Sequence, residues 1–243
     1  MRRYGQLMIK RIFSGIDELC GSGFCGEKIS FFHRAYGTGY DFCRFCSTDG
    51  GVLLVYNSNV VIDSVPDDET EEFIGMISPY TVESAYECEL SGMKKIPCRF
   101  MTKKLRKNEI YCPDEEYHVI KNGKFDKAFE VLSQCFEGIG HGEWYTHASH
   151  CVRRGMTDVF LIEGTASART DYFGDVGYIS DVCTVPAMRG KGFCRRIISA
   201  AEKNAYEKCG TAAVCCFDEN VPLYAHLGYE IADSVFYYVK KNN

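Results

Sequence analysis

From residue 125 onward the apolar positions fall into helix-like and strand-like spacings. In FDKAFEVLSQCF they occupy 125, 128, 129, 132, 135 and 136, the i, i+3, i+4 spacing of an amphipathic helix. TDVFLIEG, VGYISDVCTV and TAAVCCF are apolar runs of strand length, and YEIADSVFYYVK reads as a closing strand pair or one bent strand. A helix is predicted before TAAVCCF, running through Lys208, with Cys194, Ile197, Ile198, Ala201 and Ala205 on its apolar face and Gly210 as its stop. VPLYAHLG reads as a short helix, with Pro222 near its first turn and Gly228 after its end. The segment GIGHGEWYTHASHCVRRG, glycine-flanked and rich in polar aromatics, is assigned to neither kind of element.

Upstream, GGVLLVYNSNVVIDS reads as two short strands around Asn57-Ser58-Asn59. DDETEEFIGMIS reads as a helix start with acids in its first turn. Residues 94–107, KKIPCRFMTKKLRK, are dense in Lys and Arg and read as a solvated strand and connector. The abrupt switch to acid in CPDEEYHVI puts a domain boundary near 112. This divides the chain into an α/β N-terminal domain, 1–112, and a second domain, 113–243.

Composition narrows the classes. Hydrophobic residues at 46% and charged residues at 25% suit a folded globular chain. A net charge of −5 argues against a general nucleic-acid binder. No stretch approaches the roughly 18 apolar residues of a membrane span. No export signal precedes the first charged residues, so a cytoplasmic location is expected. The 14 cysteines are then expected to be reduced and mostly buried thiols. Cys20, Cys25, Cys43 and Cys46 have a spacing close to that of a zinc ribbon, but the second pair sits in a strand-like context.

One short stretch carries the chemistry. VPAMRGKGFCRRI, 185–197, joins a predicted strand to a predicted helix and holds four cations and two glycines. Backbone N–H groups at such a helix start point outward unpaired, and the helix dipole adds about half a positive charge. Glycine lets the backbone approach an anion closely, so the stretch suits a diphosphate. Neither the Walker pattern nor the dinucleotide fingerprint is present.

Arg189, Gly190, Lys191, Gly192, Phe193 and Cys194 instead resemble the R-x-x-G-x-[GA] signature of the GCN5-related N-acetyltransferases (GNAT), with Cys in place of the final small residue. The signature follows Thr184-Val185-Pro186. Downstream come Asn220, Leu223-Tyr224 and Leu227-Gly228-Tyr229, in the family's order and spacing. The resemblance covers about 115–243. It implies a mixed, mostly antiparallel central sheet flanked by helices, and transfer of an acetyl group from acetyl-CoA to a primary amine.

The resemblance also implies roles. Backbone N–H groups of 189–194 would hold the pyrophosphate. Val182, Cys183 and Thr184 would pair with the pantetheine arm like an added strand, and a backbone N–H there would stabilise the oxyanion. Asn220 would meet the cofactor edge. Tyr224 would protonate the leaving thiolate, which a phenol with a pKa near 10 can do at neutral pH. Asp181 is the candidate base, with Glu143 second. Trp144, Tyr145, His147 and Arg153 lie where the family builds its acceptor site, and cations there would favour an acceptor that also carries a carboxylate or phosphate. His147 and His150 lack a third ligand, so no metal is expected. Residues 1–112 carry no signature turn and resemble the degenerate first half of two-domain bacterial members. Two other readings stand beside the enzyme: a non-catalytic acyl-CoA-binding module, and a tandem transferase using another donor such as aminoacyl-tRNA.

Overall fold

The computed structural model describes residues 9–21, 23–108 and 118–241. The chain forms two compact units, and neither is continuous in sequence. The first takes residues up to Phe100, Cys216–Glu219 and Asp233 onward, and the second takes Met101–Cys215 and Asn220–Ala232. The boundary expected near 112 lies in 109–117, outside the described residues.

In the first unit the order is β1 (Lys10–Ile12), α1 (Ile16–Leu19), α2 (Phe24–Tyr36), β2 (Cys43–Thr48), β3 (Gly51–Tyr56), β4 (Asn59–Ile62), α3 (Asp68–Ile77) and β5 (Thr81–Ser84), followed by β6 (Met93–Lys104), which runs on into the second unit. The two strands read from GGVLLVYNSNVVIDS are β3 and β4, joined by a two-residue turn with Asn57 at φ 50°. Asp67 caps α3 by accepting from the Thr70 backbone N–H at 2.7 Å, the role that keeps Asp at helix starts. The core gathers Leu53, Val55, Val60, Ile62, Ile74 and Val82. Tyr238, from the far end of the sequence, completes it.

In the second unit the order is β7 (Ile120–Lys121), α4 (Phe125–Ser133), α5 (His141–Arg153), β8 (Thr157–Ile162), β9 (Ala166–Phe173), β10 (Val176–Thr184), α6 (Phe193–Lys208), β11 (Thr211–Phe217), α7 (Val221–His226) and β12 (Glu230–Lys240), the last residues of β11 and β12 belonging to the first unit. The mixed sheet flanked by helices is as the sequence implied. The polar-aromatic segment, assigned to no element from sequence, is the helix α5. β9 is a strand the apolar runs did not reveal. Gly177 on β10 lets α6 pack close, since a Cβ there would lie 2.6 Å from that of Ala205.

Both units repeat one scheme, β-α-α-β-β-β-α-β. In each, the first strand pairs antiparallel with the second, the second with the third and the third with the fourth, and the fourth pairs parallel with the fifth. The units differ at the turn after the fourth strand. In the first unit that turn is acidic, with Asp63, Asp67, Asp68 and Glu69, and β4 stays paired with β5 from Asn59↔Thr81 to Ile62↔Ser84.

The second unit holds a buried carboxylate under load. Asp158 on β8 accepts from Tyr172 Oη at 2.5 Å, Asn122 Nδ2 at 2.6 Å and Lys208 Nζ at 3.0 Å. Burial alone would raise its pKa, but these donors outweigh it and lower the value below the ordinary carboxylate range. A carboxylate lowered on folding gives stability that is present above its unfolded pKa, ~3.9, and is lost as pH falls through the folded value. Asp158→Asn is therefore expected to lower the melting temperature at pH 7 and to lose less stability than wild type between pH 5 and pH 3. Parallel pH–melting curves for the two proteins would count against this.

Candidate active site

Beyond Thr184 the chain turns to start α6. A 3-10 turn spans Pro186–Met188, Arg189 is extended, and Gly190 and Gly192 adopt φ of 75° and 81°. L side chains rarely take such angles, so the two glycines permit the turn. A Cβ at either would meet nothing within 4 Å, so the space outside them is open. Gly192 is the N-cap of α6 and makes no side-chain hydrogen bond to the first turn, and Lys191 and Arg195 flank it. Arg189 does something the sequence did not suggest. Its Nε donates to the Thr184 carbonyl at 3.2 Å and clasps the turn to the end of β10. Phe193 is buried, and the Arg196 guanidinium lies 5.6 Å from its ring centroid. Cys194 is half-buried, and burial pushes its thiol pKa up, so it is a packing residue.

The strands beside this turn part. β10 and β11 pair in parallel only from Val176↔Thr211 to Tyr178↔Ala213, although both continue. On its other edge β10 stays paired with β9, but with one extra residue between Ser180 and Cys183. This is a β-bulge, and such bulges redirect strands at functional sites. Val182, Cys183 and Thr184 lie on the stretch of β10 that has lost β11. Burial raises the Cys183 thiol pKa. Asn220 precedes α7 and makes no side-chain cap bond, so its amide is not spent on capping. Tyr224 is buried on α7 and packs edge-on against Tyr229 at 5.7 Å.

Asp181 sits in the bulge at φ 54°, a left-handed conformation uncommon for a residue with a Cβ. Trp144 Nε1 donates to its Oδ2 at 2.9 Å, and Arg169 Nη1 lies 3.2 Å from the same oxygen. The four predicted acceptor residues do not converge on this point. Helical geometry places Trp144 and His147 with Ala148 and Cys151 on the buried face of α5. His147 is only 5% exposed, and its Nδ1 lies 3.9 Å from the Cys151 thiol. Tyr145 and Arg153, with Thr146, Ser149, His150 and Arg154, line an open groove of about 390 Å³. Arg153 Nε is spent on the Ser149 carbonyl at 3.1 Å. Glu143 is exposed in the first turn of α5. Sequence reasoning missed Arg169, because a single Arg in an unrecognised strand carries no signal.

The other chemistry-bearing groups are placed as follows. In the basic stretch, Lys95 pairs with Glu87, Arg99 with Asp218 at 2.8 Å, and Lys103 with buried Glu202 at 2.9 Å. Cys43 and Cys46 are three apart on β2, so they point to opposite faces. Among the described residues no three His, Cys, Asp or Glu side chains are grouped to hold a metal, and no helix is long and apolar enough to cross a membrane.

Residues 126–229 match the model of the acetyltransferase (GNAT) family. No curated protein matches the chain. Among solved structures, a GCN5-related N-acetyltransferase from Kribbella flavida is similar over 92% of this chain and 98% of its own, with TM-score 0.61 and 13% identity. A Drosophila protein is similar over 96% and 98%, with TM-score 0.63 and 13% identity. A tandem GNAT protein from the clavulanic acid biosynthesis pathway is similar over 97% and 98%, with TM-score 0.54 and 10% identity. These likenesses concern fold. What is shown is thus a match of residues 126–229, the signature turn among them, to the acetyltransferase (GNAT) family model, in a chain whose fold is like that of solved GNAT proteins.

Proposed function

We propose that the protein transfers an acetyl group from acetyl-CoA to a primary amine. The observation that carries this reading is the parting of β10 from β11 beside a glycine-hinged, cationic turn. A pantetheine arm fits an edge of β10 that has lost its neighbouring strand, and a pyrophosphate fits the open side of Gly190 and Gly192. The thioester supplies the acyl group. Backbone N–H groups of 182–184 would polarise its carbonyl. Asp181 would receive the acceptor's ammonium and take its proton, and Tyr224 would return a proton to the departing thiolate. The balance is an ammonium and a thioester giving an amide, a thiol and one proton to solvent.

The first unit repeats the scaffold without the site. Its β4 and β5 remain zipped, and its turn carries acids where a diphosphate needs cations. We therefore assign one acetyl-CoA site per chain. The paired Lys95, Arg99 and Lys103 weaken the case for an RNA-borne donor, since cations already neutralised contribute less to phosphate binding.

Thermal unfolding and calorimetric titration with acetyl-CoA test this together. At 100 times its dissociation constant the ligand should stabilise wild type by ~2.7 kcal/mol. The titration should give one site per chain. Gly192→Asp should melt somewhat lower without ligand, because Asp is strained at that φ, and should lose the ligand-induced increment. No increment in wild type at millimolar acetyl-CoA would reject the reading. Binding without free-thiol release across an amine panel would favour the non-catalytic alternative.

A further inference from the structure

Asp181 is held in an unfavourable conformation by one of its two oxygens. A left-handed φ is unfavourable for a residue with a Cβ and persists where the surroundings over-determine it. Here the surroundings are Trp144 and Arg169, and both reach Oδ2. Arg169 lies opposite Ser180 in the β9–β10 register. It is anchored from behind by Asp171 at 3.3 Å, which in turn accepts from Thr157 Oγ1 at 2.7 Å. Burial by itself would lower the Arg169 pKa, but Asp171 and Asp181 outweigh it and keep the guanidinium charged. Cys151 also faces this cluster, and burial pushes its thiol up to about 12, so it adds no charge.

Two carboxylates, those of Asp171 and Asp181, thus share the single Arg169 guanidinium. Oδ1 of Asp181 takes part in none of these contacts, and its side chain is 20% exposed. Around the bulge, Ser180 Oγ, Thr184 Oγ1 and Arg169 Nε are buried polar atoms with no hydrogen-bond partner among the described residues. Each such atom is costly to leave unpaired, and native folds keep few of them away from sites that do work.

We propose that Arg169 is a positioning residue: it clamps Asp181 through Oδ2 and so presents Oδ1 to the ammonium group of a cationic acceptor. This deepens the acyl-transfer reading and rests on it. It also reverses the charge preference expected from Arg153, which lies on the face of α5 opposite Trp144, the residue that reaches Asp181. The acceptor class is an alkylammonium whose charge is balanced by this cluster, rather than one selected through an anionic group.

Trp144 is the sole tryptophan, so the indole N–H of a 15N-labelled protein gives a single resonance that reports on Asp181 directly. The experiment titrates n-butylammonium, with butyrate as the control at equal ionic strength, into the full chain with and without CoA. In wild type the indole resonance should move saturably with butylammonium and not with butyrate. Asp181→Asn should abolish the response. Arg169→Gln should weaken apparent affinity at least tenfold, and Arg169→Lys should recover part of it. A merely structural role for Arg169 would not produce selective loss of the ammonium response with rescue by Lys. Equal responses in Arg169→Gln and wild type, or a wild type that treats butyrate and butylammonium alike, would overturn the inference. Should Arg169→Gln fail to fold, Asp181→Asn and Arg169→Lys still decide it. CoA stabilisation is read on the same samples by thermal unfolding. Its absence would reject acyl transfer, whereas CoA binding without an ammonium response would reject only the clamp.

Discussion

Tyr238→Ala is expected to destabilise the first unit by ~3–5 kcal/mol, the cost of removing a large buried aromatic. The residue lies 150 positions from the backbone it serves. Its ring is buried among Leu53, Val55, Ile62 and Val82, and its hydroxyl accepts from the Cys88 N–H at 2.9 Å and donates to the Cys88 carbonyl at 3.0 Å. Around it β12 pairs with β5 from Phe236↔Ser84 to Val239↔Thr81. Native stability is only about 5–15 kcal/mol, so the loss consumes a large share of it. Tyr238→Phe keeps the ring and should cost ~1–3 kcal/mol, because the Cys88 backbone groups lose their partner. Calorimetry on the two variants separates the contributions. A loss below 1 kcal/mol for Tyr238→Ala would mean that the last strand is not part of this core.

That strand marks the limit of what the sequence discloses. β12 was legible as a strand, because YEIADSVFYYVK is dense in β-formers. Its membership in the first unit was not, since apolar spacing says which face is buried and nothing about which core receives it. α4, α6 and α7 were legible because their buried residues are apolar or their ends carry glycine and proline signals. α5 was not, because it buries His147 and Ser149 alongside Trp144, Ala148 and Cys151, and polar residues on the inner face erase the apolar period. β9 was hidden for a related reason. Its buried positions include Ser167, Thr170 and Asp171, which look like loop in a one-dimensional reading. The phosphate-type turn was readable because glycines and cations at fixed spacing are its mechanism. The clamp on Asp181 was not, since it needs α5, β9 and β10 brought together.

Tyr224→Phe is expected to lower kcat by roughly 10²–10⁴, the range for loss of a positioned general acid, with KM for acetyl-CoA changed little. The ring stays where it is because its support is rigid. Tyr229, on which it rests edge-on, is buried beneath Lys103, whose ammonium lies 5.6 Å from the Tyr229 ring centroid. Lys103 is itself held by buried Glu202 through both carboxylate oxygens, at 2.9 and 3.0 Å. Phenylalanine keeps the ring and removes only the proton donor. A thiol has a pKa near 8.5, so a departing thiolate needs a proton most at neutral pH and least above ~9. The deficit of Tyr224→Phe should therefore shrink as the assay pH rises from 7 to 9.5, once an acceptor amine has been found by thiol release. A misplaced helix α7 would give a deficit that does not depend on pH, and would raise KM for acetyl-CoA as well. A loss under threefold at pH 7 would remove Tyr224 from the chemistry and leave proton return to solvent.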